Sequence, residues 1–411
     1  MGATLISLFI ANSPLGKAYH YLLSEVDLLG NFNLHMLVND FLMAIFFLSV
    51  GLEIKHEMLY GNLCSIKKAS FPVIAALGGV MIPALIFTLF NLGTPFIQGV
   101  GVPISTDIAF AVGVFMLFRK KFNPSLKIFL LSLAVVDDLI SILVIGLLYS
   151  SDINFISLSI ALLLVGVLMA MNKIFKVNKV APYMLVGLIM WFFIYLSGVH
   201  ATISGVLLAL TIPTITFKDE KESMAHHLEH SLSPLCNFLI LPLFALVNTA
   251  IIFSSNIDLS SSSTLVLGTV VGLTVGKPLG IMLFTTLATR LGLTEKPKNA
   301  SWLSVFSVSL LAGIGFTMSI FVSEIAFNNA PNLVNITKIS ILGASIISIL
   351  LAYTVATLTY KSNEQKRSQW GGELRKHFSK ERCSQTAMPF FAVFPLYFGL
   401  FLSPVQNQMH R

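Results

Sequence analysis

Asp137 and Asp138 stand side by side within Ile128–Leu148, and the stretches on either side of them are nearly all apolar. An ionisable side chain at the middle of a bilayer costs about 2.5–3.5 kcal/mol on insertion scales, so an acid kept there needs a reason. Neighbours on a helix point about 100° apart, which lets both carboxylates border one water-filled cleft without facing the same way. Two close carboxylates in a poorly solvated site resist double ionisation, and protons then occupy the site at accessible pH. A small hard cation, which oxygen ligands suit, can replace the protons when the acids ionise. A site that holds protons or a cation, but not both, is the minimum machinery for exchange. Asp is also a common helix cap, yet the apolar flanks run too far both ways for a terminus.

A third acid, Asp107, lies in Gly99–Gly113 with Pro103, Ser105, Thr106 and several glycines. That composition predicts an apolar segment that breaks partway, and a broken helix at membrane depth is tolerated only where it lines protein or water. Asp107 there offsets the positive N-terminal ends of half-helices or adds an oxygen near the ion. A matching break falls at Leu311–Ser319, where Gly313 and Gly315 weaken a helix and Thr317 and Ser319 can satisfy freed backbone groups. Glycines alone would equally serve tight helix packing; the paired position of the two breaks favours a functional reading. Lys277, in Val275–Gly280, lies inside an apolar run. A buried lysine must find a partner or lose its proton, so Asp137, Asp138 or the C-terminal end of a half-helix is expected beside it. A snorkelling lysine near a helix end is the alternative.

Weaker signals surround these. Asp40 reads equally as a cap, and His200 equally as a packed histidine. Glu53, Lys55, His56 and Glu57 form a charged turn, as do Glu229 and His230. Both clusters read as solvated helix ends or as the mouth through which ions enter.

The elements that position these residues follow from hydropathy. Hydrophobic residues make up 55% of the chain and charged residues 11%, against about 25% charged in an ordinary soluble domain. Apolar runs of about 20 residues recur from Phe41 to Tyr360, the length that spans ~30 Å of hydrocarbon as a helix. Backbone groups in lipid must be paired internally, so the runs are helices; the short alternating segments of a barrel are absent. Helices are expected near 35–54, 70–90, 99–118, 125–149, 154–172, 181–196, 198–212, 234–253, 264–290, 301–326 and 335–359. Leu5–Ala11 is too short to cross and lacks a basic leader, so it reads as the remnant of a first helix rather than a signal peptide. The expected divisions are 1–34 for that helix and a short connector, 35–360 for the transmembrane domain, and 361–411 for a basic tail.

The net charge of +7 is a topology signal rather than a sign of nucleic acid. Alternate loops hold the basic residues: Lys55, Lys67 and Lys68; Arg119, Lys120, Lys121 and Lys127; Lys173, Lys176 and Lys179. The series continues with Lys218 and Lys221, with Arg290, Lys296 and Lys298, and with Lys361, Lys366 and Arg367. The intervening loops Asn91–Gln98, Ser150–Asn154 and Ser254–Ser263 hold none, and Lys338 is the late exception. The positive-inside rule puts the basic loops and the tail in the cytoplasm. Cys64, Cys236 and Cys383 show no metal or redox spacing, and no nucleotide-phosphate loop is present. The chain reads as a transporter, not an enzyme, with no cofactor. Within the tail, Ala387–Ser403 is apolar and interrupted by Pro389 and Pro395.

Ser105–Ala111, Ala134–Leu139, Ser197–Thr202, Gly276–Gly280 and Gly313–Ile320 together resemble the NhaA family of bacterial sodium/proton antiporters, as do Gly51–Lys55 and Leu228–His230. The likeness runs from about Asn12 to about Thr359. It implies an all-α polytopic membrane protein of about twelve transmembrane helices, with inverted repeats and two interrupted helices crossing at mid-membrane around Asp107 and Gly315. It implies that Asp137 and Asp138 bind Na+ or Li+ and exchange it for H+ across the cell inner membrane, electrogenically, with sodium leaving the cell as more protons enter. Asp107, Thr106 and Lys277 would support the site and balance half-helix charge. A pH-responsive cluster carries over to Glu53, Glu57, Glu229 and His230, with His200. Three departures stand out. The first helix is short. The connector before Leu37 looks shorter than the family's, which often forms a dimer-contact hairpin, so a homodimer stays open. His226 and His227 replace two expected basic side chains. A sodium-coupled carrier of another solute on a similar scaffold is the alternative, but the mostly acidic intramembrane charge favours a cation. A channel would want a ring of equivalent residues.

Overall fold

The computed structural model describes residues 2–24, 26–29, 32–61, 63–123, 125–150, 153–214, 223–251, 262–297 and 300–384. Lys218, Lys221, Lys298 and the apolar segment Ala387–Ser403 lie outside the described residues. The chain forms two compact units, Met1–Thr357 and Leu358–Arg411.

Among its described residues, the first unit is helical apart from turns, a non-helical stretch before Ile108 and one small antiparallel strand pair. Helices α1 (Gly2–Ala11) and α2 (Gly16–Ser24) open the chain. Asp27–Leu29 then pairs antiparallel with Phe32–Asn33, so the connector, though short, holds a hairpin. α3 (Leu34–Leu59) and α4 (Ile66–Asn91) follow. A tight 3-10 turn at Pro95–Gly101 and a non-helical stretch lead into α5 (Ile108–Leu117). Next come α6 (Ser125–Leu148), α7 (Phe155–Lys173), α8 (Val180–Leu196) and α9 (Ile203–Thr211). The later helices are α10 (Met224–Asn248), α11 (Ser263–Arg290), α12 (Trp302–Ala312) and α13 (Phe316–Ala326). α14 (Pro331–Ser384) is the last.

Among the described residues, seven helices are long and apolar enough to cross a membrane alone, and α12 with α13, bent by 45°, makes an eighth. The expected count of about twelve is not reached on length, because α1, α5, α8 and α9 each have 17 residues or fewer. The outward faces are apolar as lipid requires: Leu147, Phe155, Ile156 and Phe238 are each more than 70% exposed. Lys338 is buried with Nζ 2.5 Å from Glu324 Oε1. The exception to the charge alternation is therefore a neutralised one.

Two local features prepare the site. Pro278 has no N–H to donate and would clash with the carbonyl four residues back. The preceding turn of α11 widens accordingly, and Lys277 N–H reaches back five residues to Gly272 O. A similar wide turn at Cys236–Ile240 precedes Pro242 in α10. α4 and α11 meet where Gly78 and Gly280 face each other; a Cβ on Gly280 would fall 2.0 Å from Gly78 O. Small residues at such a crossing let backbones touch, and this contact holds α11 at the depth where Lys277 enters the core.

Candidate functional site

The two interrupted segments cross backbone to backbone. Asp107 N–H donates to Ile314 O at 2.8 Å, Thr106 Oγ1 to Ala312 O at 2.8 Å, and Ser319 Oγ to Val102 O at 2.8 Å. The groups freed by each break are thus satisfied by the other. Gly313 and Gly315 both keep ordinary negative φ, −71° and −85°, so neither break needs a left-handed residue. Gly313 is required by space instead: a Cβ there would lie 2.5 Å from Leu273 O.

Asp107 caps two helices at once. Its Oδ1 accepts Phe110 N–H at 2.9 Å at the start of α5. Its Oδ2 accepts Thr317 N–H at 3.0 Å and the Thr317 hydroxyl at the start of α13. Both helix N-termini carry partial positive charge, and one carboxylate answers both.

Lys277 takes the other side of the crossing. Its ammonium donates to Ile104 O and lies 2.7 Å from Asp137 Oδ2, with both side chains 1% exposed. Asp138, also buried, makes no such pair and instead borders a cavity of about 720 Å³ lined by Phe46, Glu53, Asp107, Glu229 and Thr317. Of these two successive residues on α6, Asp137 meets Lys277 and Asp138 lines the cavity. Asp138 Oδ1 is buried and accepts no hydrogen bond from the described residues, whereas Thr106 lies against the Asp137 carboxyl. Ser105 Oγ donates to Ser141 Oγ at 3.2 Å, one helical turn beyond Asp137.

The remaining sequence candidates do not form one cluster. Glu53 and Glu229 line the cavity together. His56 Nδ1 lies 3.5 Å, and His226 Nδ1 3.8 Å, from Glu229 Oε2, whereas His230 is exposed. Glu57 sits in the last turn of α3, and Lys55 donates to the carbonyls of Ala209, Leu210 and Ile212 that end α9. His200 lies in the turn between α8 and α9, at the opposite end of the bundle, with Nε2 3.0 Å from Tyr149 O. Burial there holds its imidazole below the ordinary value, against the opposing effect of the Tyr149 carbonyl.

Sequence reasoning passed over a second, partly buried charge group. Glu324 Oε2 lies 3.8 Å from His35 Nε2, and its other oxygen holds Lys338. Asn39 and Asn248 bridge α3 and α10 nearby, Asn248 Nδ2 donating to Asn39 Oδ1 at 2.7 Å. An acid inside the apolar run of α13 was visible by the criterion that singled out Asp137.

A polytopic helical protein with broken helices crossing beside buried acids and a buried lysine is a membrane transport protein. Residues 1–356 match the Na+/H+ antiporter 1 family, and the chain belongs to that family. It is 42% identical over 377 residues to Na(+)/H(+) antiporter NhaA 2 of Aliarcobacter butzleri, covering 88% of this chain and 93% of that protein. Na(+)/H(+) antiporter NhaA of Dechloromonas aromatica is 43% identical over 84% of this chain and 88% of its own length. The protein of that name from Caulobacter vibrioides is 44% identical over 87% of each.

Proposed function

We propose that this protein exchanges Na+ or Li+ for H+ at Asp137 and Asp138. Sodium leaves the cytoplasm as a larger number of protons enters, so the exchange is electrogenic. The basic loops and the C-terminal tail face the cytoplasm across the inner membrane, as the positive-inside pattern indicates. The observation that carries the reading is the division of the acid pair: Asp137 held by Lys277, and Asp138 beside it on the cavity.

The division suggests a sequence of events. A cation entering past Glu229 and Glu53 meets Asp138 first. A buried Asp138 oxygen without a protein donor suits a hard cation, and Asp137, Thr106 and the crossing carbonyls supply further oxygens within the same layer. Once the cation binds, its positive charge competes with the Lys277 ammonium for Asp137. Protons must leave for the cation to stay, because two ionised acids tolerate one compensating charge far better than several. Asp107, Thr106 and Lys277 keep the crossing neutral while the acids change partners. Glu53, Glu57, Glu229 and His230 are the proposed pH-responsive group on the cytoplasmic side, and His200 would act apart from them.

The test is an acid-loaded everted vesicle carrying a pH dye, to which sodium, lithium or potassium is added. Alkalinisation by sodium or lithium that disappears in Asp138→Asn supports the reading. A response that survives in both Asp137→Asn and Asp138→Asn removes it. A rate unaffected by collapsing the membrane potential removes the electrogenic part alone.

A further inference from the structure

His56, His226 and Glu229 bring three ligand atoms of two types within 4.8 Å of one another, across two helices. His226 and Glu229 are three residues apart on α10, so both side chains leave one face of that helix. His56 arrives from the last turns of α3 with its ring stacked on that of His226, centroids 5.2 Å apart at 28°. The side chains of His56, His226 and Glu229 are 36%, 41% and 22% exposed, so the group opens to water. The spacing is that of the Glu-x-x-His pair of metal-binding helical bundles, in the reverse order.

We propose that this group binds a first-row transition dication such as Zn2+, and that the ion slows transport when bound. Ligands at about 2.0–2.2 Å around a tetrahedral ion stand roughly 3.4 Å apart. The two nitrogens already lie 3.5 and 3.8 Å from the Glu229 oxygen, and a small turn of each ring closes the set. Two imidazoles with one carboxylate, leaving positions for water, suit zinc and its neighbours and disfavour Na+ or Mg2+, which prefer oxygen. The charge around the group is acidic as well: Glu53 and Glu229 interact electrostatically, as do Glu53 and Glu57. Lys55 points away, onto the end of α9.

The consequence for transport follows from position and rests on the antiport reading above. Glu229 lines the same cavity as Glu53 and Asp138. A bound dication would place positive charge at the mouth that sodium must pass, and would tie α10 to α3. The binding itself does not depend on that reading.

Calorimetry on the purified full chain, stripped of metal and free of any histidine tag, tests the binding with Zn2+ as the probe. One strong zinc site per chain is expected, with affinity falling about tenfold or more in His56→Ala and in His226→Ala. Co2+ in its place should give the visible absorption of a nitrogen-ligated ion. No zinc binding, undiminished binding in the double variant, easy displacement by Mg2+, or loss only on changing His227 or His230 would each overturn the site. In everted vesicles, Zn2+ should slow sodium-driven alkalinisation in the parent and EDTA should restore it. The double variant, compared with its own metal-free rate, should be insensitive. Equal inhibition of parent and double variant would overturn the regulatory half. A parent with no sodium response before metal is added would instead count against the antiport reading, and the calorimetry would still decide the zinc site.

Discussion

Lys277 Nζ lies 2.7 Å from Asp137 Oδ2, while the neighbouring Asp138 looks into the cavity. One ammonium thus makes two chemically equal acids unequal. Removing one partner of a buried pair typically costs about 3–5 kcal/mol, because the other charge is left unpaired. Lys277→Met should therefore lower the thermal unfolding temperature in detergent markedly. Asp137→Asn combined with Lys277→Met should cost less than the sum of the single changes. Strict additivity in that double-mutant cycle would show that the two side chains do not hold one another.

Asp107 caps α5 and α13 through separate oxygens. An N-cap is worth about 0.5–2 kcal/mol, so Asp107→Ala, which loses two, should destabilise by roughly 1–4 kcal/mol. Asp107→Asn keeps one acceptor oxygen and should fall between the parent and Asp107→Ala. Thermal melts of the three proteins in one detergent would rank them, and an asparagine variant as weak as alanine would contradict the shared cap.

Gly280 and Gly313 are predicted to be intolerant of any side chain. Added Cβ atoms would fall 2.0 Å from Gly78 O and 2.5 Å from Leu273 O, both backbone atoms that cannot turn aside. Overpacking commonly costs about 1–3 kcal/mol. Gly280→Ala and Gly313→Ala should each reduce stability by at least that range, whereas Gly113→Ala, with open space around it, should be near neutral. Folded yield by fluorescence-detected size exclusion would separate the two groups.

Glu324 and Lys338 form a second, partly buried pair, with side chains 16% and 9% exposed. Lys338→Met and Glu324→Gln should each destabilise, by about 3 kcal/mol at the low end for a buried pair that water partly reaches. The double variant should recover part of the loss. Because the group also touches His35 at the start of α3, His35→Ala should add less in the Glu324→Gln background than in the parent.

His200 gives a pH dependence of stability whose sign can be worked out. Its folded-state pKa lies below the ordinary 6.5 because burial disfavours the charged ring. As pH falls below 6.5 the unfolded chain takes up a proton that the folded chain resists, and stability drops until the depressed value is passed. His200→Gln should flatten the unfolding temperature between pH 8 and pH 5 relative to the parent. A slope unchanged by that substitution would mean that His200 does not resist protonation.

Much of this was legible in the chain itself. The apolar runs gave the helices, since lipid leaves the backbone no other partner over such lengths. The composition of Gly99–Gly113 and Leu311–Ser319 announced the breaks, and the isolated charges marked Asp137, Asp138, Asp107 and Lys277. Boundaries and crossings were less legible: Ile203–Thr211 forms a short helix after a turn, where an apolar run suggested a longer one.

The amino-acid sequence by itself marked the apolar runs and the few charges set inside them, because the cost of burying charge is local and large. Tertiary structure alone decided which of two adjacent acids meets Lys277, that one carboxylate answers two helix ends, and that His56 joins His226 and Glu229. Those outcomes depend on how far one helix slides along another, and that is set by contacts such as Gly78 on Gly280, between residues far apart in the chain and without distinguishing chemistry of their own.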